Sequence, residues 1–240
     1  MSDTALLVAS GALVRGAVLA LDDDQVHHLR VRRELSTPHA VRLFDGVGVS
    51  ATGELRFDGR TVTAQVDAVT AHTRPTTTVL AVAAGDRDRF ALVAEKCTEL
   101  GVTDLVPLDG ERVHGVATRL RAEQLDRVRR RAREACKQCG NPWATAVHAL
   151  STLDQLREQW QSVHWFLADA DGASPQPAVN LATGWIIGPE GGYTAAERSS
   201  IVQQLGAVPV RLGPWILRFE TAAIAAATWT AATRAPEGVR

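Results

Sequence analysis

Two stretches near the C-terminus place the kinds of residue that hold a ligand on either side of a chain reversal. The first is Gly188-Pro189-Glu190-Gly191-Gly192, a breaker pair followed by two more glycines around a single carboxylate. Glycines allow backbone conformations closed to other residues and let the main chain approach a small molecule. The second is Leu212-Gly213-Pro214-Trp215-Ile216-Leu217-Arg218-Phe219-Glu220-Thr221-Ala222, with a lone arginine and glutamate at the turn. Two such turns after neighbouring strands could build one pocket between them.

Other chemistries lack their residues. Cys136-Lys137-Gln138-Cys139 has no second CxxC and no His-x-x-x-His partner, so the reading is core cysteines, with no metal. No Walker A segment, no GxGxxG after a strand and no Gly-x-Ser-x-Gly elbow occurs, which disfavours an NTPase, a dinucleotide oxidoreductase and a serine hydrolase. A cationic run remains at Arg30, Arg32 and Arg33, together with an arginine-rich helix, both suited to a nucleic-acid backbone.

Around these residues the chain changes texture once. Up to about Val69 it reads as short strands: Val41–Phe44 closed by Asp45-Gly46, Gly53–Phe57 closed by Asp58-Gly59, and Thr61–Val69. In the last, Val62, Ala64, Val66 and Ala68 are expected on one face. A polar, proline-bearing stretch at 70–78 marks the boundary, giving a front domain over 1–70 and a rear domain over 79–240. The rear domain alternates strand and helix: Val79–Ala84, a helix from Arg87, Val102–Leu108, a basic helix over Arg119–Cys139, Val163–Leu167 and Trp185–Ile187. Thr194-Ala195-Ala196-Glu197 is a capping box opening the next helix. Ala207–Leu212 and a final Ala/Thr-rich helix over Glu220–Thr233 follow, and the small residues suit packing on its own sheet or on a second subunit. Such alternation makes an α/β domain with a largely parallel sheet, and the two glycine-bearing turns both follow strands of it.

At 240 residues with a net charge of −1, the chain is long enough for real cores and has no overall basic field. Lysine occurs only at 96 and 137, so nearly every cation is an arginine. There is no long apolar run, no signal pattern and no disulfide framework, which points to a cytoplasmic protein off the membrane.

The paired C-terminal turns, with Thr98-Glu99-Leu100-Gly101-Val102, Glu134-Ala135, Gln138, His27-His28-Leu29-Arg30-Val31 and Leu43-Phe44-Asp45-Gly46, resemble the SPOUT methyltransferases. Among them the chain is most similar to the RsmE family, which methylates N3 of a uridine in 16S rRNA of the small ribosomal subunit. That resemblance implies a front PUA-like β-barrel for RNA and a rear α/β domain tied in a trefoil knot. It also implies S-adenosyl-L-methionine as cofactor and a homodimer. Carried over residue by residue, the cofactor contacts are Leu167, Gly188, Glu190, Gly191, Leu212, Ile216, Leu217, Arg218 and Thr221. The methyl transfer that the resemblance implies makes Arg218 and Glu190 the candidate catalytic residues, Arg218 for the charge developing on the base and Glu190 to orient the cofactor or take the proton. RNA contacts are expected from Arg30, Arg32, Arg33, Arg112, Arg129 and Arg133. Departures from the family pattern stand at Gly110, Val113, Asn141, Trp215 and Phe219, near the expected cofactor and RNA surfaces. They leave room for another base or a ribose 2′-OH as the target, or for a non-catalytic RNA-binding or ribosome-assembly module.

Overall fold

The structure is a computed structural model, and it describes residues 4–32, 35–110, 112, 117–176 and 181–233. Its chain groups into two compact units. The front unit runs up to Arg74 and also takes in Arg133–Ala144; the rear unit is Pro75–Ala132 with the chain from Thr145 onward.

The front unit carries five strands: β1 (Thr4–Leu7), β2 (Val18–Ala20), β3 (His39–Phe44), β4 (Val49–Asp58) and β5 (Thr61–Ala71). They form one sheet in the order β1-β3-β4-β5-β2, antiparallel except for the parallel β1–β3 pair. Both Asp-Gly turns form. Gly46 and Gly59 take positive φ, and the Asp45 carboxylate accepts the Val47 and Val49 amides. Leu29, Leu43, Leu55, Val62, Ala64 and Val66 fill the core. The expected alternation of β5 fails at one point, because Ala68 is exposed. Opposite β4 the register steps from Gly53↔Val66 to Thr52↔Ala68, so Asp67 is an extra residue and every side chain beyond it changes face.

Residues 133–144 join this unit because the backbone demands it. Gly48 N–H donates to the Pro142 carbonyl and Ala144 N–H to the Gly46 carbonyl. The Trp143 indole lies where a Cβ on Gly48 would stand, and Gly48 has φ +106°, so both space and conformation require glycine. A linear cut of the chain does not anticipate this return.

The rear unit holds β6 (Thr78–Ala83), α2 (Arg87–Glu99), β7 (Asp104–Leu108), β8 (Ala146–Val147), α4 (Leu153–Gln159), β9 (His164–Ala173), β10 (Thr183–Ile187), α5 (Ala195–Gln204), β11 (Val208–Val210) and α6 (Phe219–Thr233). Helix α1 (Asp23–His27) belongs to the front, and α3 (Leu125–Cys139) begins in the rear unit and ends in the front grouping. All six rear strands are parallel, in the order β11-β9-β10-β6-β7-β8. The basic helix starts at Leu125 instead of Arg119, after a tight turn at Ala122–Gln124. Helix α4, opened by a Thr152/Gln155 capping box, and the short β8 were not anticipated.

The last helix packs on its own sheet and on α2. Ala222, Ala223, Ala226 and Ala227 are buried there, their small side chains bringing the backbone close. Above them Trp185 donates its indole N–H to Thr230 Oγ1 at 2.8 Å and meets the Trp229 ring edge-on at 5.5 Å. Cys97 and Cys136 are buried and Cys139 is exposed; burial pushes the Cys136 thiol up to about 12, which makes it a poor nucleophile. Among the described residues no group of three or more His, Cys, Asp or Glu is placed to hold a metal, and no helix is long and apolar enough to cross a membrane.

Candidate active site

Three neighbouring parallel strands, β11, β9 and β10, end on the same edge of the rear sheet, and the segments leaving them surround one pocket of about 430 Å³. That is the carboxyl edge, where open parallel sheets hold their ligands. The volume lies within the range of small-molecule sites.

The segment after β10 is held from several directions. Gly192 N–H donates to the Pro189 carbonyl at 2.8 Å, and Gly192 has φ +67°. Tyr193 lies beneath the loop: its hydroxyl donates to the Ile187 carbonyl at 3.3 Å, and a Cβ on Gly188 would stand 3.1 Å from its ring. Burial, with the Glu197 carboxylate nearby, raises the Tyr193 phenol far above its ordinary value, so it stays a neutral donor. The expected capping box then forms, Glu197 accepting from Thr194 N–H and Thr194 from Glu197 N–H.

The segment after Leu167 of β9 reaches the pocket through an irregularity. Leu167 pairs with Pro209, but the next residue of β11, Val210, pairs with Ala173. The intervening chain swings out, and Ala168–Asp171 line the pocket. Gly172 permits this, because a Cβ there would strike the Val210 backbone.

Of the nine expected cofactor residues, Leu167, Gly188, Glu190, Gly191, Leu212, Ile216 and Leu217 line the pocket together. Arg218 and Thr221 do not; both are exposed just beyond it, and the Arg218 carbonyl accepts the Ala222 N–H that opens α6. The Glu190 carboxylate lies 3.6 Å from Arg89, which lies 3.7 Å from Glu220. Arg89 thus ties the start of α2 to both C-terminal turns. Sequence reading missed it, although a charged residue in the first helical turn after β6 faces the same sheet edge.

Asp169 and Arg198, also missed, form a rim pair at 2.6 Å between Arg198 Nε and the Asp169 carboxylate. An aspartate two residues past an apolar strand end was the available signal. Burial alone would raise the Asp169 carboxyl, but the Asp171 N–H and the Arg198 guanidinium outweigh it, so the folded value lies below the usual range. A lowered folded value adds stability above the unfolded carboxylate value, and that stability is lost as pH falls through the folded one. Asp169→Asn is therefore expected to lower stability at neutral pH. The gap to the parent should close in acid, as read by denaturant melts at several pH values.

The expected RNA residues are scattered. Arg30 donates to the Gly59 carbonyl at 2.7 Å and stands over the Phe57 ring, so part of its guanidinium holds the β4–β5 turn. Arg129 is bonded to Asp126 and the Val147 carbonyl, and Arg133 to the Asp45 carbonyl at 3.4 Å. Arg112 donates to the Gly191 carbonyl, at the pocket itself. The Arg32 side chain and all of Arg33 lie outside the described residues. Among the departures, Val113 also lies outside them. Asn141 accepts the Trp143 N–H, and Gly110 sits beside Glu197. Phe219 is a buried pocket wall against Gly85, whereas Trp215 is 81% exposed at the rim.

This sheet edge and its pocket put the chain in a known class. Residues 72–231 match the RNA methyltransferase domain family. A ribosomal RNA small subunit methyltransferase E from Synechocystis sp. is 30% identical over 233 residues, covering 90% of this chain and 73% of that protein. The protein of the same name from Aquifex aeolicus is 26% identical over 221 residues, covering 88% and 92%. Among solved structures, ribosomal RNA small subunit methyltransferase E from Neisseria gonorrhoeae, bound to S-adenosyl methionine, aligns with TM-score 0.79 at 27% identity over 95% and 96% of the chains. A protein from Legionella pneumophila described as a methyltransferase, solved with the bound cofactor SAM, aligns with TM-score 0.84 at 26% identity over 98% and 99%. The chain belongs to the small-subunit ribosomal RNA methyltransferase E family, RsmE.

Proposed function

We propose that this chain transfers the methyl group of S-adenosyl-L-methionine to N3 of a specific uridine in 16S rRNA. The observation that carries the reading is that Gly191 and Leu217, from turns following different strands, wall one pocket at the carboxyl edge of the sheet. Its lining suits that cofactor. Leu167, Leu212, Leu217 and Phe219 offer an apolar slot, the glycine turn offers backbone groups, and Asp169, Asp171 and Glu190 offer carboxylates for hydroxyl or ammonium groups. Bound there, the cofactor supplies an electrophilic methyl on a sulfonium.

In the transfer, uracil N3 loses its proton and forms the new N–CH3 bond while the S–CH3 bond breaks and sulfur keeps the electron pair. Holding the partners in line contributes about 7–11 kcal/mol in well-oriented systems. Arg218, exposed just outside the pocket, is assigned to the negative charge that develops on the base. Glu190, clamped by Arg89, orients the cofactor or accepts the proton. Because N3 is hidden in paired RNA, the target base has to be unpaired or flipped.

The same reading assigns the front unit (1–70) as a PUA-like RNA-binding barrel and the rear (79–240) as a SPOUT domain with a trefoil knot, working as a homodimer. The insertion of β10 between β9 and β6, both laid down earlier in the chain, is the feature that favours a knot. Phosphate contacts fall to Arg30, Arg32, Arg33, Arg112, Arg129 and Arg133.

Mass mapping of 16S rRNA nucleosides from a strain lacking the gene, with and without the gene restored, tests the target. Loss and return of a single 3-methyluridine is the expected result. A change at another base or at a ribose 2′-OH would redirect the enzyme to a different substrate. Calorimetry with S-adenosylmethionine tests the chemistry, and an absence of binding would leave only an RNA-binding or assembly module.

A further inference from the structure

Trp215 and Ile216 are the most exposed large apolar side chains among those described, at 81% and 89%, and both line the pocket. Single exposed apolar residues are ordinary, but an adjacent pair at the tip of a pocket loop is not. Pro214 precedes them and restricts both its own φ and the residue before it. Among the described residues the Trp215 indole stacks on no other ring, whereas Trp185 and Trp229 are built into the core.

The surroundings select the occupant. Arg211 and Arg198 line the same pocket, and Arg211 and Arg218, either side of the tip, are exposed. A flat aromatic face among arginines is the arrangement that takes an unpaired base and its phosphates. A second copy of the chain would instead call for a broad apolar patch, and here the apolar surface is two residues wide with cations on either side.

We propose that the Trp215 face is the platform on which the extruded target pyrimidine of the RNA stacks at the mouth of the pocket, with Ile216 closing its edge. This rests on the methyltransferase reading above and adds to it a residue that selects and holds the acceptor base. Trp215 acts before and during transfer by touching the substrate at the rim of the pocket.

The test compares the full chain with Trp215→Ala and Trp215→Phe in four readouts. These are oligouridylate binding, KM and kcat for 16S rRNA, calorimetry with S-adenosylmethionine, and mass by light scattering. Loss of the platform is expected to weaken oligouridylate binding and raise the RNA KM roughly 5- to 140-fold, the range set by base–aromatic stacking. Trp215→Phe should recover most of it, with cofactor affinity and mass unchanged. The proposal is overturned if Trp215→Ala leaves RNA binding intact, if its main effect is on cofactor affinity, or if it changes the mass. A parent protein that neither binds the cofactor nor methylates RNA would sink the underlying function as well, whereas an active parent with a neutral Trp215→Ala sinks this inference alone.

Discussion

Arg218→Ala is expected to lower kcat for methylation of 16S rRNA by about 10²–10³-fold, the loss typical when one donor to a developing anion is removed. Cofactor affinity should stay where it was. In the proposed reaction the acceptor base approaches the pocket from outside, and Arg218 lies outside the pocket lining, one residue past Leu217. Its backbone is held by the bond from Ala222 N–H, so the side chain springs from an anchored point at the start of α6. Arg218→Lys keeps the charge but loses the planar fork, so it should recover only part of the rate. Single-turnover kinetics with calorimetry separates the outcomes. A variant with normal kcat and weakened cofactor binding would move Arg218 to the cofactor and leave the base without its stabiliser.

The largest effect on stability is expected from Trp185→Ala, about 3–5 kcal/mol in a denaturant melt. Trp185 is fully buried in β10, packs against Phe166 at 4.8 Å and Trp229 at 5.5 Å, and donates to Thr230. Alanine leaves a cavity beneath the strand that delivers the glycine turn. Thr230 keeps its bond to the Ala226 carbonyl, so no new orphan hydroxyl adds to the cost. Trp185→Phe retains most of the packing and should cost about 1–2 kcal/mol, from the lost hydrogen bond and the smaller ring. If both variants melt like the parent, this aromatic cluster does not carry the rear core.

Much of the rear unit was readable from local pattern. The apolar runs of β6, β7 and β10, the α2 periodicity ending at Gly101 and the Thr194/Glu197 capping box each depend on a few neighbouring residues, and each is present. Seven of the expected cofactor positions line one pocket because both turns leave parallel strands at the same edge of the sheet. What failed did so for non-local reasons. The face change in β5 comes from an extra residue that only the partner strand reveals. The return of residues 133–144 to the front unit depends on Trp143 filling the space over Gly48, nearly a hundred positions away.

The sequence by itself determined the class of the rear unit, the two glycine-bearing turns that meet at the pocket and the lack of a metal-ligand, nucleotide or hydrolase motif, because those are properties of short windows and their chemistry. Tertiary structure alone decided which charges meet. Arg89 between Glu190 and Glu220, Asp169 with Arg198, and Arg112 at the Gly191 carbonyl join residues from 29 to 131 positions apart. Their pairing depends on strand order in the sheet, and no local pattern encodes that order.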